Sequence, residues 1–183
     1  INILFIRDLE NNLNERKIFE KINFLKKKKI IKKIGISVYS YENLTKLYKL
    51  IKFDVIQVPI NIFDNRCDKL KSFILKNNIE VHARSIFLQG LFFLNFEDLK
   101  KKKMILFKKP LSNLRSFQKK LRFNIYDIAL SHVFKKSYVK KVIIGVHNIS
   151  QLKKILNFNY VDKMKKINNL NINDNALIDP RLW

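Results

Sequence analysis

The sequence predicts an α/β fold built on a parallel sheet. Short continuous apolar runs recur along the chain, and each ends in a polar loop that leads into a segment with helical spacing. The runs are continuous and not alternating, which is the pattern of strands buried on both faces of a parallel sheet. The junctions are 33–37 into Val38, Tyr39 and Ser40; 54–57 into Val58 and Pro59; 79–83 into the glycine-ended loop 84–90; and 142–145 into Val146, His147 and Asn148.

In chain order, residues 2–6 make the first strand and 7–12 a polar segment. A helix is predicted over 15–29, where Ile18, Phe19, Ile22 and Leu25 form one stripe. Residues 33–37 are the second strand. Ser40 is the expected N-cap of a helix whose face is Leu44, Leu47, Leu50 and Ile51. The third strand, 55–58, is stopped by Pro59, which lacks a ladder donor. Leu70, Phe73, Ile74 and Leu75 predict a helix over 68–76, ended by Asn77 and Asn78, and a strand follows over 79–83.

Residues 91–110 read as a long irregular connection closed by Pro110. Helices at 112–121 and 125–134, a last strand at 141–144 and a helix at 150–156 come next. Beyond 157 the pattern dissolves into Asn and Lys, so 158–183 is expected to be an irregular tail. No Gly-, Pro- or Ser-rich linker divides the chain, which predicts a single domain.

With 47% hydrophobic and 12% aromatic residues, the chain is apolar enough for a core, which excludes a disordered class. The single Cys67 rules out an internal disulfide framework and fits a reducing cytoplasm. No run approaches the roughly 18–20 apolar residues of a bilayer span, so no membrane insertion is expected. A first residue of Ile1 instead of Met leads to the expectation that a natural amino terminus precedes it. Three histidines and one cysteine lack ligand spacing, so no metal site is expected.

The net charge of +23 invites a nucleic-acid reading, with the densest lysine runs at 26–29 and 100–103. Against it, the chain is rich in Lys, Ile, Asn and Phe, whose codons are AT-rich. Biased coding raises lysine on every solvated face without selecting a ligand. No helix-turn-helix, RNP or zinc pattern is present, so no specific nucleic acid is expected as partner.

Ile34-Gly-Ile-Ser-Val-Tyr39, Ile56-Gln-Val-Pro-Ile-Asn-Ile-Phe-Asp64 and His82-Ala-Arg-Ser-Ile-Phe-Leu-Gln-Gly90 stand in an order and spacing that resembles the aldo/keto reductases. In that family they are the ends of strands five, six and seven. Ile144-Gly-Val-His-Asn-Ile-Ser-Gln-Leu152 resembles strand eight with its phosphate-side loop, and residues 3–10 resemble the end of strand four. The branch it looks most like is bacterial, with Ala-Arg-Ser and a Leu-Gln-Gly turn after strand seven.

The resemblance covers residues 1–157. It implies part of a (β/α)8 TIM barrel, strands four to eight with their helices, the first three strands missing. It also implies a nicotinamide cofactor, usually NADPH with NAD as the alternative, and a small-molecule carbonyl substrate.

Residue roles implied by the resemblance follow position by position. Arg7 stands where the family has its catalytic His; a guanidinium brings a permanent charge and a different reach. Ser37 and Gln57 match the positions that hold the nicotinamide carboxamide. Gly35 is expected to allow close approach of ligand and backbone, and Gln57 would be costly to bury unpaired. Asn61 and Asp64 read as turn formers.

Arg84 matches the position of the ring that stacks on nicotinamide, and a guanidinium can stack too. Ser85, Phe87 and Gln89 match the loop over the pyrophosphate. Gly145, His147 and Gln151 match the loop and helix start that hold the adenosine phosphate. His82 reads as a structural histidine inside its strand.

The catalytic Asp, Tyr and Lys of the family lie on the three missing strands. The chain alone is therefore expected to be an inactive part of an NAD(P)H-dependent oxidoreductase that needs the other part of the barrel. The alternative is a non-catalytic barrel relative that binds cofactor or a protein partner. An isolated part would leave the strands near Ile3 and Ile144 as open edges.

Overall fold

A computed structural model describes residues 1–7, 16–101, 104–162, 164 and 167–183. The predicted polar segment 7–12 beyond Arg7, the helix start at Glu15 and the end of the lysine run 100–103 lie outside the described residues.

Five strands form one sheet: β1 (Ile3–Arg7), β2 (Lys33–Ser37), β3 (Val55–Pro59), β4 (Glu80–Arg84) and β5 (Val139–Val142). Their order is β1-β2-β3-β4-β5, and β1 to β4 pair in parallel. Each connection steps one strand in the same direction. A barrel wall is laid down that way, whereas a doubly wound sheet reverses.

The helices are α1 (Arg16–Lys27), α2 (Leu44–Leu50), α3 (Lys71–Lys76), α4 (Phe96–Lys101), α5 (Lys108–Leu121), α6 (Ile125–Phe134), α7 (Ile149–Leu156) and α8 (Asn175–Ile178). The chain divides into two compact units. The first is Ile1–Pro59, Arg66–Arg84 and Tyr138–Lys141, and the second is Ile60–Asn65, Ser85–Ser137 and Val142–Trp183.

In the first unit the sheet is not apolar on both faces, as its continuous runs had implied. Ile34, Ile36, Ile56, Val58, Val81 and Ala83 share the closed face and are fully buried. The other face carries Lys33, Ser37, Gln57, Glu80 and Arg84, all in contact with solvent. Small or apolar residues at Gly35 and Val55 disguise the alternation; Glu80-Val-His-Ala-Arg84 displays it openly.

Gly35 serves packing and not a ligand. A Cβ there would lie 2.6 Å from the Phe5 ring of the neighbouring strand. That ring fills the gap and tilts against His82, with centroids 5.9 Å apart.

Glu80 anchors the polar face. Its carboxylate accepts from Lys33, meets His82 Nε2 at 2.7 Å and lies 3.6 Å from Lys141 Nζ. The hydrogen bond from Lys33, followed by that from His82, holds its pKa down at about 2 against a reference of 4.5. The depressed value makes the carboxylate stabilising above pH 4.5, and the contribution fades as pH falls towards 2.

Glu80→Gln should cost about 1–2 kcal/mol at pH 7, allowing for screening of the exposed lysines. Urea unfolding of both proteins from pH 7 to 2 checks this. The two stabilities should converge near pH 2, and a difference that is flat with pH would refute the assignment.

Several boundaries differ from expectation for local reasons. Asn43 occupies the N-cap position of α2, without a side-chain bond, so Ser40 does not cap it. Pro59 is the last residue of β3 and pairs with Arg84. The helix expected over 68–76 is a 3₁₀ turn (Arg66–Leu70) running into α3.

The connection 91–110 is not irregular. It holds α4 between the 3₁₀ turns Leu88–Phe93 and Ile105–Phe107. Pro110 sits in the first turn of α5, where a missing N–H removes no helical bond. The last strand is Val139–Val142, so Ile143, Ile144 and Gly145 lie beyond it. Ile18, Leu50 and Leu75, placed on helix stripes by spacing, are largely exposed.

The second unit closes around Ile60, Ile62, Phe63, Leu88, Leu91, Leu111, Leu114 and the inward side of α6. Segment 158–183, expected to be irregular, joins this core through Val161, Met164, Ile167 and Ile178. Its backbone is tied in by Val161 N–H to Ser131 Oγ (2.8 Å), Asn159 N–H to Asp127 Oδ1 (2.7 Å) and Ile172 N–H to the Phe63 carbonyl (2.8 Å).

Left-handed residues follow three helices: Lys29 after α1, Asn78 after α3 and Arg122 at the end of α5. The Arg122 N–H bonds the Gln118 carbonyl at 3.0 Å, and the Ile79 N–H bonds the Ile74 carbonyl at 3.0 Å, satisfying last-turn acceptors.

Candidate functional site

The predicted site residues fall into two groups, one in each unit. In the first unit Arg7, Ser37 and Gln57 stand side by side, because Arg7 pairs with Ser37 and Ser37 with Gln57 in the parallel register. Arg7 and Ser37 are the last residues of β1 and β2, whereas Gln57 lies in the middle of β3, two residues short of the end that the sequence suggested; all three are on the polar face. Arg7 is exposed; Ser37 and Gln57 are half-buried.

Arg84 comes two residues after His82, the register partner of Gln57. Its guanidinium lies 3.9 Å from the centre of the Tyr39 ring and donates to the Val38 carbonyl at 3.1 Å. One face of the planar cation is thus already stacked. Tyr39 was not singled out by sequence, since nothing local marks a tyrosine after a strand as the mate of an arginine 45 residues on. The neighbouring Tyr41 donates to the Pro59 carbonyl at 3.0 Å.

The second unit holds a pocket of about 400 Å³. It is lined by Ser85, Phe87, Gln89, Gly145, His147 and Gln151, together with Ile86, Gly90, Phe93, Tyr126, Ile143, Ile144 and Ile155. All six residues predicted for the pyrophosphate and adenosine loops therefore share one cavity.

Its wall is aromatic. Phe87, Phe93 and Tyr126 pack with centroids 5.4, 5.3 and 4.7 Å apart, and Lys154 Nζ lies 5.9 Å from the Tyr126 ring. Phe93 ends the 3₁₀ turn that also carries Gln89 and Gly90, whereas Tyr126 comes from α6, a tertiary neighbour that sequence spacing does not report.

Backbone shape fixes the loop. Ser85, Leu88 and Gln89 have φ of 56°, 45° and 53°, and Gly90 follows at 83°. Asn61, fully buried, braces this loop. Its amide donates to the Ser85 carbonyl at 3.2 Å, and its Oδ1 accepts from Phe63 N–H (3.0 Å) and Asp64 N–H (3.2 Å).

At the opposite wall α7 begins with reciprocal capping. Asn148 Oδ1 accepts from Gln151 N–H, and Gln151 Oε1 accepts from His147 N–H, both at 2.9 Å. Asn-x-x-Gln ahead of an apolar stripe is the sequence signal of such a cap. Gln151 therefore shapes the loop as well as lining the cavity, and the helix amino end faces a neutral, polar mouth suited to an anion.

His82 is buried and bonded to Glu80, a structural role as expected. Asn61 and Asp64 form a tight turn, also as expected. Burial, with Cys67 and Asp68 nearby, pushes the Tyr138 phenol well above its usual range, so it stays a donor to Asp68. Among the described residues no group of three His, Cys, Asp or Glu side chains could hold a metal, and no helix is long and apolar enough to cross a membrane.

Residues 1–172 match the family model described as "Aldo/keto reductase family". The fold matches the aldo-keto reductase AKR11C1 from Bacillus halodurans in its holo form (TM-score 0.70, 17% identity, 100% of this chain and 64% of that one). It also matches the glycerol dehydrogenase AKR11B4 from Gluconobacter oxydans (TM-score 0.62, 18% identity, 98% and 60%). A third match is a mutant of Gox0644 in complex with NADPH (TM-score 0.66, 16% identity, 95% and 60%). The chain thus spans 60–64% of these structures' length. No curated protein matches the sequence.

Proposed function

The chain belongs to the aldo/keto reductase family, and on that premise we propose that it is the cofactor-holding part of an NAD(P)H-dependent carbonyl reductase. The five strands are assigned as the fourth to eighth of the barrel, with the other strands and the catalytic Asp, Tyr and Lys supplied by polypeptide beyond this chain. When bound, the nicotinamide supplies the hydride that reduces a carbonyl carbon.

The observation that carries this reading is the second unit's pocket, where six residues chosen for one ligand line one cavity. The cavity fits an adenine nucleotide. Its volume is that of a small-molecule site, its aromatic wall suits a planar base, and the α7 amino end suits phosphate. Gly145, His147 and Gln151 would hold the adenosine phosphate; Ser85, Phe87 and Gln89 the pyrophosphate.

In the first unit Ser37 and Gln57 would bond the carboxamide, and Arg84 stands at the position that the resemblance assigns to the nicotinamide ring. NADPH is the expected cofactor, with NADH the comparison, because Lys153 and Lys154 bring cationic charge to the helix that follows the loop. A reducing cytoplasm fits the single, buried Cys67.

Gly145 gives a clean test. A Cβ there meets nothing within 4 Å, so Gly145→Leu should fold normally while filling the pocket. Calorimetric titration with NADPH should show Kd raised at least about tenfold, with an unchanged urea midpoint. Parent-like affinity in Gly145→Leu would remove the pocket from the reading, and absence of NADPH binding to the parent chain would remove the reading itself.

Turnover is a separate matter. With the general acid absent, the purified chain should show no carbonyl-dependent NADPH oxidation, and measurable oxidation would refute that.

Arg7 favours a second reading, a barrel relative that binds cofactor without catalysis. Its permanent cation stands in the family's histidine position, beside Ser37. Restoring Arg7→His in the chain joined to its upstream sequence separates the two: a non-catalytic relative stays inactive either way.

A further inference from the structure

The chain between α4 and α5 reads Lys100-Lys-Lys-Lys-Met-Ile-Leu-Phe-Lys-Lys109, an apolar tetrad between two lysine runs. The redox reading gives it no role. The 3₁₀ turn Ile105–Phe107 presents it in an unusual way. Phe107 points inward, 3% exposed, with its ring edge-on to Trp183 at 5.0 Å. That anchor holds the turn while its neighbours face water, Ile105 at 47% and Leu106 at 71% exposure. Lys108 and Lys109 are exposed directly after the turn, and a groove of about 410 Å³ runs between them, Phe96 and the two aliphatic tips. Glu97 pairs with Lys100 at 3.3 Å, offsetting one charge of the run.

We propose that this turn docks peripherally on an anionic lipid surface, with Leu106 and Ile105 at the acyl boundary and Lys108 and Lys109 among the headgroups. Charge complementarity selects the occupant. Clustered lysines beside exposed aliphatic tips satisfy both layers of such a surface, cations outside and apolar groups deeper. A nucleic-acid backbone would use the lysines and leave Ile105 and Leu106 in water. The lysines are point charges without the fork that favours paired phosphate oxygens, and Phe96, the ring in the groove, already has Lys108 and Arg115 over it at 5.9 and 5.0 Å. The net charge of +23 adds long-range attraction. Two aliphatic tips and a few lysines give reversible attachment and not insertion, so the expectation of no membrane-spanning segment is untouched. The proposal stands whether or not the chain binds a nicotinamide.

Flotation of the full chain with vesicles tests it, at physiological salt, using phosphatidylcholine alone or with about 30% phosphatidylserine. The bound fraction should rise about tenfold with phosphatidylserine. The single Trp183, half-exposed beside Phe107, should shift its emission to the blue on binding. Ile105→Ser/Leu106→Ser changes only exposed side chains and should keep the parent's circular dichroism while losing most of the bound fraction and the shift. Lys108→Glu/Lys109→Glu should lose the phosphatidylserine preference.

Equal vesicle binding by the serine pair and the parent would overturn the proposal, because adsorption would then be charge alone. So would polyuridylate RNA binding that ignores the serine pair while vesicles of both compositions bind alike, since the patch would then be a phosphate-backbone surface.

Discussion

Replacing Phe63 with alanine is expected to remove about 3–5 kcal/mol of stability, read as a fall in the urea midpoint at constant slope. Phe63 is among the largest fully buried side chains and meets Phe92 edge-on at 5.1 Å. Its own carbonyl also accepts the Ile172 N–H, so the backbone that would have to settle into the cavity is tethered. Incomplete collapse keeps the cavity term in full, which sets the value towards the upper part of the range. Phe63→Leu should cost under about 1.5 kcal/mol, because most of the volume remains. A loss below about 1 kcal/mol for the alanine variant would mean that the second unit can repack around the gap.

Asn61→Ala should cost about 3 kcal/mol and weaken cofactor binding about tenfold. The side chain is fully buried and makes three hydrogen bonds, to the Phe63 and Asp64 amides and the Ser85 carbonyl. Deletion leaves buried groups without partners, at about 1–3 kcal/mol each before relaxation. The functional effect follows from Ser85, whose left-handed backbone begins the loop over the pocket and has lost its brace. Urea unfolding and NADPH titration read the two effects separately. A destabilised variant with parent affinity would show that the loop holds its shape without Asn61.

The central strands were legible because their apolar runs are short, bounded and buried; β2 lies where the spacing put it. β5 was displaced by two residues because it is a sheet edge. Val139-Lys-Lys-Val142 puts lysines where an interior strand would need apolar groups, while the apolar run 142–145 drew the prediction into the pocket wall. The segment after Leu156 was illegible for another reason. Val161, Met164, Ile167 and Ile178 enter the core singly, without helical or strand period. At the site, sequence order identified the loops that share the cavity. It gave no sign of Tyr126, or of Tyr39 under Arg84, because those contacts exist only once distant elements meet. At Gly35 the sequence predicts room for a ligand, and the Phe5 ring fills that room.

The left-handed corners bear on how much heat the chain can withstand. Lys29, Asn78, Ser85, Leu88, Gln89 and Arg122 hold conformations that glycine adopts without penalty, in a protein with only three glycines. With three glycines in 183 residues, the chain makes these bends from residues that carry side chains. Each side-chain-bearing corner spends roughly 1 kcal/mol that the core must cover. The margin against heat is narrowed at bends that a laboratory can relax one glycine substitution at a time.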